Sequence, residues 1–233
     1  MLTFLTRLSI SACLVVLLNL PANATSFHER PANTKVLDYL VYSNHNAPYQ
    51  FSDVELGHKG IVCRIVDIIA ARTGSTVHPH MEPIKRLKRS IELNKYQQWI
   101  SYGMRSWESL PAWQDHYFSD VNIFQFSPVL VQPANSEPSI ETLAEIGQRK
   151  VLVIHGFDYG PIYDFIVSRG AIVESVDTQQ KALSMLRQGR ADVFLEDKYR
   201  VTYALTMMKL SAEQFNMTPL HPVSEDALSV ALV

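Results

Sequence analysis

The sequence predicts an α/β protein built as two doubly wound lobes on either side of a central cleft. Three observations carry the prediction. Strand-like and helix-like segments alternate from Lys35 to Met104, a proline-punctuated connection follows, and the same alternation restarts at Lys150. Repeated strand–helix–strand order favours parallel pairing with helices packed on the sheet. In open sheets of this kind, loops at the C-terminal strand ends face a crevice that takes ligands.

The elements follow in chain order. "MLTFLTRLSISACLVVLLNLPANA" has one early cation, Arg7, an apolar stretch from Leu8 to Leu20, then Pro21 and the small residues of Ala22–Ala24. This is the pattern of a secretory signal peptide, residues 1–24, cleaved after Ala24. The apolar stretch is broken by serines and is short for a bilayer span. "ISAC" at Cys13 resembles a lipoprotein signal, but the main apolar run follows the cysteine instead of preceding it.

"KVLDYLVYS" (35–43) is rich in β-branched and aromatic residues and reads as a strand. Gly60 to Arg72 carries Ile61, Ile65, Ile68 and Ile69 at helical spacing and stops at Gly74, a C-cap residue type. "STVHPHM" reads as a strand whose Pro79 argues for a sheet edge. Pro83 opens a helix to Leu93, and "QQWISYGM" (97–104) reads as the next strand. Pro128, Pro133 and Pro138 mark the connection. Beyond it come a short helix near 140–146, strand "KVLVI", turn "HGFDYG", a helix over 161–169, strand "AIVESV", a helix over 178–188, strand "DVFLE" and a helix over 198–209.

Composition narrows the function classes. Losing Arg7 with the leader leaves 20 basic against 23 acidic side chains, with no basic stripe, so nucleic acid is not an expected partner. Beyond the leader only Cys63 remains, so no intrachain disulfide forms. Its helical spacing from apolar neighbours reads as a buried small hydrophobe.

"APYQF…GIVCRIVDIIAARTG" in the first half and "KVLVIHGFDYG…ALSMLRQGRADVFLED" in the second resemble family 3 of the type II periplasmic solute-binding proteins, the amino-acid-binding branch. The resemblance covers about residues 35–233 and rests on order and spacing, not on one decisive motif. It implies a clamshell of two lobes that closes over a small solute for an ABC-type permease. Lobe 1 would span 25–127, completed by a returning strand at 226–233, and lobe 2 would span 128–225, with hinges near 128–138 and 219–226. The family normally continues into a helical tail, so a chain ending at "DALSVALV" is expected to be truncated.

The same resemblance assigns site residues. An acidic residue at the position of Asp197 binds the ligand's α-ammonium group, and an aromatic at Tyr49 packs on the ligand. The residues agree, since a carboxylate that follows the apolar Val193–Leu195 run is stabilised by a cation. Asp197 or Glu196 also reads as the N-cap of the helix beginning near Lys198. Phe157, Asp158 and Tyr159 lie in a strand-to-helix turn whose free N–H groups suit an anion. The family's carboxylate-gripping arginine is absent, because Ala112 of "SLPAW" stands in its place. Arg105, beside Ser106, could supply the fork, with Arg86 a second possibility; otherwise the ligand is not an ordinary α-amino acid. Trp99, Trp107 and Trp113 either cover the lobe edge there or line the cleft.

His78 and His80 alternate at metal-ligand spacing, but no third ligand lies near in sequence and they read as a solvated pair. No nucleophile elbow, HExxH or paired-cysteine motif is present. His155 is the first candidate general acid or base should the fold carry dehydratase-like chemistry. The expectation is a monomeric, secreted periplasmic binder of a small polar solute, with no cofactor or metal and not an enzyme; a sensory module is the other class.

Overall fold

A computed structural model describes residues 35–42, 46–53, 57–110, 113–220 and 229–233. The expected signal peptide, Ala112 and most of the second expected hinge lie outside the described residues.

The first half places β1 (Val36–Tyr42), the hairpin β2 (Phe51–Asp53) and β3 (Gly57–Lys59), α1 (Ile61–Thr73), β4 (Thr76–Glu82), α2 (Ile84–Glu92), β5 (Trp99–Ile100) and β6 (Tyr102–Met104) in order. Strands β4, β1 and β5 form a parallel sheet with β4 at its edge, as Pro79 predicted. Gly74 caps α1 in the left-handed conformation, where a Cβ would be strained.

Two expectations change here. The buried stripe of α1 is Val62, Cys63, Val66 and Ala70, while Ile61 and Ile68 are exposed. Both sets share the helical period, and Ile65 and Ile69 are half-buried at the flank of the buried stripe. The single strand expected at 97–104 divides at Ser101. The Ser101 hydroxyl donates to the Leu40 carbonyl (2.9 Å), while its backbone exchanges hydrogen bonds with Val233. The chain thus leaves the parallel sheet at this residue and joins a second one.

That second sheet is antiparallel. It consists of β6, β7 (Asn122–Gln125) and, between them, a strand from the far end of the chain. The next strand, β8 (Pro128–Pro133), replaces most of the connection expected here, with prolines only at its two ends, where a missing N–H is tolerated. There follow β9 (Lys150–Ile154), α3 (Gly160–Ser168), β10 (Ile172–Val176), α4 (Gln179–Arg187), β11 (Val193–Asp197), α5 (Lys198–Met208), β12 (Phe215–Pro219) and β13 (Ser229–Leu232). The helix expected near 140–146 is a single 3-10 turn, Leu143–Glu145. β13 is the strand that pairs with β6 and β7.

The remaining strands form one mixed sheet in the order β10-β9-β11-β8-β12. Its side chains alternate between two cores. Val129, Val131, Leu152, Ile154 and Phe194 pack with Leu183 and Leu186 of α4 and Val201 and Leu205 of α5. Leu130, Val151, Val153, Val193 and Leu195 pack with Ile166 of α3 on the other face. A sheet covered on both faces needs strands apolar at every position, which "KVLVI" and "VFL" supply. Each such buried aliphatic side chain contributes about 1.5–3 kcal/mol. No helix among the described residues is long and apolar enough to cross a membrane.

Candidate functional site

Two local structures present the predicted acids and the predicted aromatic to each other. The first is the end of β11. Asp197 pairs in register with Pro128 of β8 and is the N-cap of α5. Its Oδ1 accepts from the Tyr199 and Arg200 backbone N–H groups (3.0 and 3.1 Å) and its Oδ2 from Ser127 N (2.8 Å). A buried carboxylate at a helix start satisfies donors that the helix leaves free.

The second is the loop before β2. Asn46 O accepts from Tyr49 N and Gln50 N, while Tyr49 O accepts from Val62 N at the start of α1. Gly60 makes this approach possible, since its φ is +115° and a Cβ there would collide with the Tyr49 carbonyl. The buried Gln50 side chain ties the loop to β1 through Tyr42 N (2.9 Å), the Tyr39 hydroxyl (2.8 Å) and Leu40 O (3.1 Å).

The two structures meet directly. The Tyr49 hydroxyl donates to Asp197 Oδ1 at 2.8 Å, and its ring stacks on Phe124 with centroids 4.3 Å apart. Asp197 is 0% exposed, Glu196 1% and Tyr49 3%. Burial, then the Asp197 charge, pushes the Tyr49 phenol well above its ordinary range, so it is a proton donor at any physiological pH.

Between them lies a cation that sequence reading missed. The Arg200 guanidinium sits 5.4 Å from the Tyr49 ring centroid, 5.3 Å from Phe126 and 4.7 Å from Phe157. Its NH1 donates to Glu196 Oε1 (3.2 Å) and its NH2 to Asn46 Oδ1 (2.9 Å). Burial pulls its pKa down, but Glu196, Tyr102, Asp197 and Tyr49 outweigh this and hold it above the ordinary arginine value. Glu196 also accepts from Gln179 Nε2 (2.9 Å) and from Asp197 N (2.8 Å). Burial raises its pKa despite these partners. Among the described residues, the Arg200 Nε–H and the Tyr102 hydroxyl are buried with no hydrogen bond of good geometry, while Arg200 lies close enough to Tyr102 to favour its phenolate. Burial pushes the Tyr102 phenol up to about 12.

Phe157 belongs to this cluster, on the turn after β9. Tyr159 braces the turn, its hydroxyl accepting from Ile154 N (2.7 Å). Asp158 is exposed, accepts from Gly160 N and lies 3.8 Å from Lys88 Nζ. Arg105 stands elsewhere, with its guanidinium committed to Glu108 Oε1 (2.8 Å), Asn122 Oδ1 (2.9 Å) and the Ser119 carbonyl. Arg86 and Ser106 are exposed, as is His155. Trp113 is 1% exposed in the first core, packed on Trp99 and Trp107, which accounts for the tryptophan group as packing. Cys63 is buried, as predicted, and its thiol pKa is raised by burial. A surface cavity of about 300 Å³ beside Gln132, Arg149 and Asp192 holds none of the predicted site residues.

Arg200 had no helical-pair signal, since Glu196, four residues before it, lies in β11 and only the turn from strand to helix brings the two together. Nothing local marks Asn46 or Phe126 as its partners.

No protein-family model matches the chain, and no curated protein matches it in sequence. Solved structures do match. An ancestral arginine-binding protein bound to arginine superposes with a TM-score of 0.65 at 16% identity, over 84% of this chain and 83% of that one. A Salmonella typhimurium periplasmic binding protein described by its high arginine specificity gives 0.63 at 16%, over 85% of each chain. The ancestral amino-acid-binding protein AncCDT-1, a precursor of cyclohexadienyl dehydratase, gives 0.63 at 15%, over 84% of this chain and 80% of that one. The chain has the type II periplasmic-binding-protein fold. The Tyr49–Asp197 and Arg200–Asn46 bonds both join the loop before β2 to the junction of β11 and α5.

Proposed function

We propose that this protein is a secreted periplasmic solute-binding protein of family 3 that captures a small, polar, amino-acid-like solute between its lobes for an ABC-type transporter. One observation carries the reading. Two acids, an aromatic-walled cation position and the Tyr49–Asp197 hydrogen bond converge where the C-terminal end of β11 meets the Tyr49 loop. Converging polar groups in an aromatic surround are what a small charged solute requires.

In this reading Tyr49, Phe157, Glu196 and Asp197 contact the solute, with Arg200 supplying the carboxylate grip or yielding its place to a cationic solute. Arg105, Arg86 and Ser106 take no direct part. Lobe opening admits the solute, and closure presents both lobes to a permease by shifting an existing open–closed equilibrium.

The test is a thermal-shift screen of amino acids, polyamines, small peptides and organic acids. A solute at 100 times its Kd stabilises the folded form by about 2.7 kcal/mol. At least one amino-acid-like compound is expected to raise Tm, and to lose that effect in Asp197→Ala. A screen without a hit overturns the reading. Conversion of a hit into product would replace it with a periplasmic enzyme of the dehydratase kind, and a hit with no transport phenotype on deletion would favour a sensing module.

A further inference from the structure

Three metal-ligating side chains lie together outside the Tyr49–Asp197–Arg200 cluster. Strands β1 and β4 pair in parallel register, with Asp38 opposite His78 and Leu40 opposite His80. Side chains two apart on a strand share a face, so His78 and His80 flank the Asp38 carboxylate. His80 Nε2 and Asp38 Oδ1 share a hydrogen bond of 2.7 Å, and His78 Nδ1 lies 3.7 Å from the same oxygen. One donor atom from each of the three falls within 4.8 Å of the others.

We propose that Asp38, His78 and His80 form a binding site for a divalent transition ion of the zinc class. The donor set is two imidazoles and one carboxylate, a combination that zinc accepts with water completing its coordination. Ligand atoms around a tetrahedral zinc, at bond lengths of 2.0–2.2 Å, stand about 3.3–3.6 Å apart. The two separations from Asp38, 2.7 and 3.7 Å, bracket that range, and the two imidazole nitrogens, within 4.8 Å of each other, close onto an ion by side-chain adjustments on the order of 1 Å. The ion takes the place of the proton between His80 and Asp38: a neutral imidazole binds through Nε2 with its proton on Nδ1, and only an imidazolium releases a proton to solvent.

The surroundings supply orientation and access. The Tyr96 ring lies against His80, with centroids 4.6 Å apart, and the Tyr96 hydroxyl is fixed by Glu82, which also takes Lys95 and Ser90. His80 and Asp38 are each about one-quarter exposed, whereas His78 is two-thirds exposed and leaves an entry path. Because β4 is a sheet edge, an ion held by both strands clamps that edge to β1. Sequence reading set His78 and His80 aside for want of a third ligand. Asp38 lies forty residues earlier and becomes the third only through parallel pairing.

The experiment uses the protein without a histidine tag, titrated with Zn2+ by calorimetry, and with Co2+ by visible absorption. One Zn2+ per chain is expected, with Mg2+ inert. His78→Gln, His80→Gln and Asp38→Asn are each expected to weaken Zn2+ binding by about 10-fold or more, since even outer-shell substitutions cost this much. His78→Gln changes a mostly exposed side chain, so it separates ligand loss from misfolding. Failure of the parent protein to bind Zn2+, or equal binding by all three variants, overturns the proposal. Neither result bears on the solute reading, which involves different residues.

Discussion

The Tyr49 hydroxyl donates a 2.8 Å hydrogen bond to Asp197 Oδ1 across 148 positions of sequence. The acceptor is a carboxyl group that also caps α5, so this bond joins the loop before β2 to the start of that helix. Tyr49→Phe keeps the stack on Phe124 and removes only the hydroxyl. A hydrogen bond to a charged group contributes about 1.5–3 kcal/mol, and the variant is expected to lose that amount in urea unfolding. A loss indistinguishable from zero would mean that the Tyr49 loop is not held to α5 by this contact.

Arg200 is the second residue that ties the loop before β2 to α5. Arg200→Ala leaves Glu196 buried without its ion partner and empties the space among Tyr49, Phe126 and Phe157. Breaking a buried pair in this way costs about 3–5 kcal/mol. Low millimolar methylguanidinium should recover part of the lost Tm in the variant and none in the parent. Equal responses would show that the aromatic surround does not select a guanidinium.

Arg105 offers the contrasting case. All three guanidinium nitrogens are engaged by Glu108, Asn122 and Ser119, which brace the turn after β6. Arg105→Ala should therefore lower stability by about 1–3 kcal/mol while leaving the affinity for any solute unchanged. Calorimetric titration of the variant decides this. A selective loss of carboxylate-bearing solutes would restore Arg105 to the binding site.

Glu196 gives a pH dependence with a definite sign. Burial raises its pKa in the folded protein above the ordinary value of 4.5. As pH rises past 4.5 the unfolded chain releases this proton first, so the folded form loses stability through the window up to the raised value. Below the ordinary value the contribution is complete. Glu196→Gln lacks this titration, so the Tm of the parent minus that of the variant should fall as pH rises through that window. A difference that rises with pH would reverse the assignment.

Most of the secondary structure was legible because its causes are local. Apolar runs gave β9 and β11, Gly74 ended α1, Pro79 marked β4 as an edge, and an acid at the end of β11 announced a helix cap. The same acid could be marked as a site candidate from sequence, because burying a carboxylate requires a partner, whereas Tyr49 was marked by the resemblance to the solute-binding family.

What the chain's own order could not decide was partnership. The choice between two equally periodic stripes of α1, the division at Ser101 and the burial of β8 between β11 and β12 each depend on a segment far away in sequence. So do the enclosure of Arg200 by Asn46, Tyr49, Phe126 and Phe157 and the meeting of Asp38 with His78 and His80. Periodicity and capping are properties of neighbours along the chain, whereas burial and charge pairing are properties of neighbours in space. Only the fold brings those together.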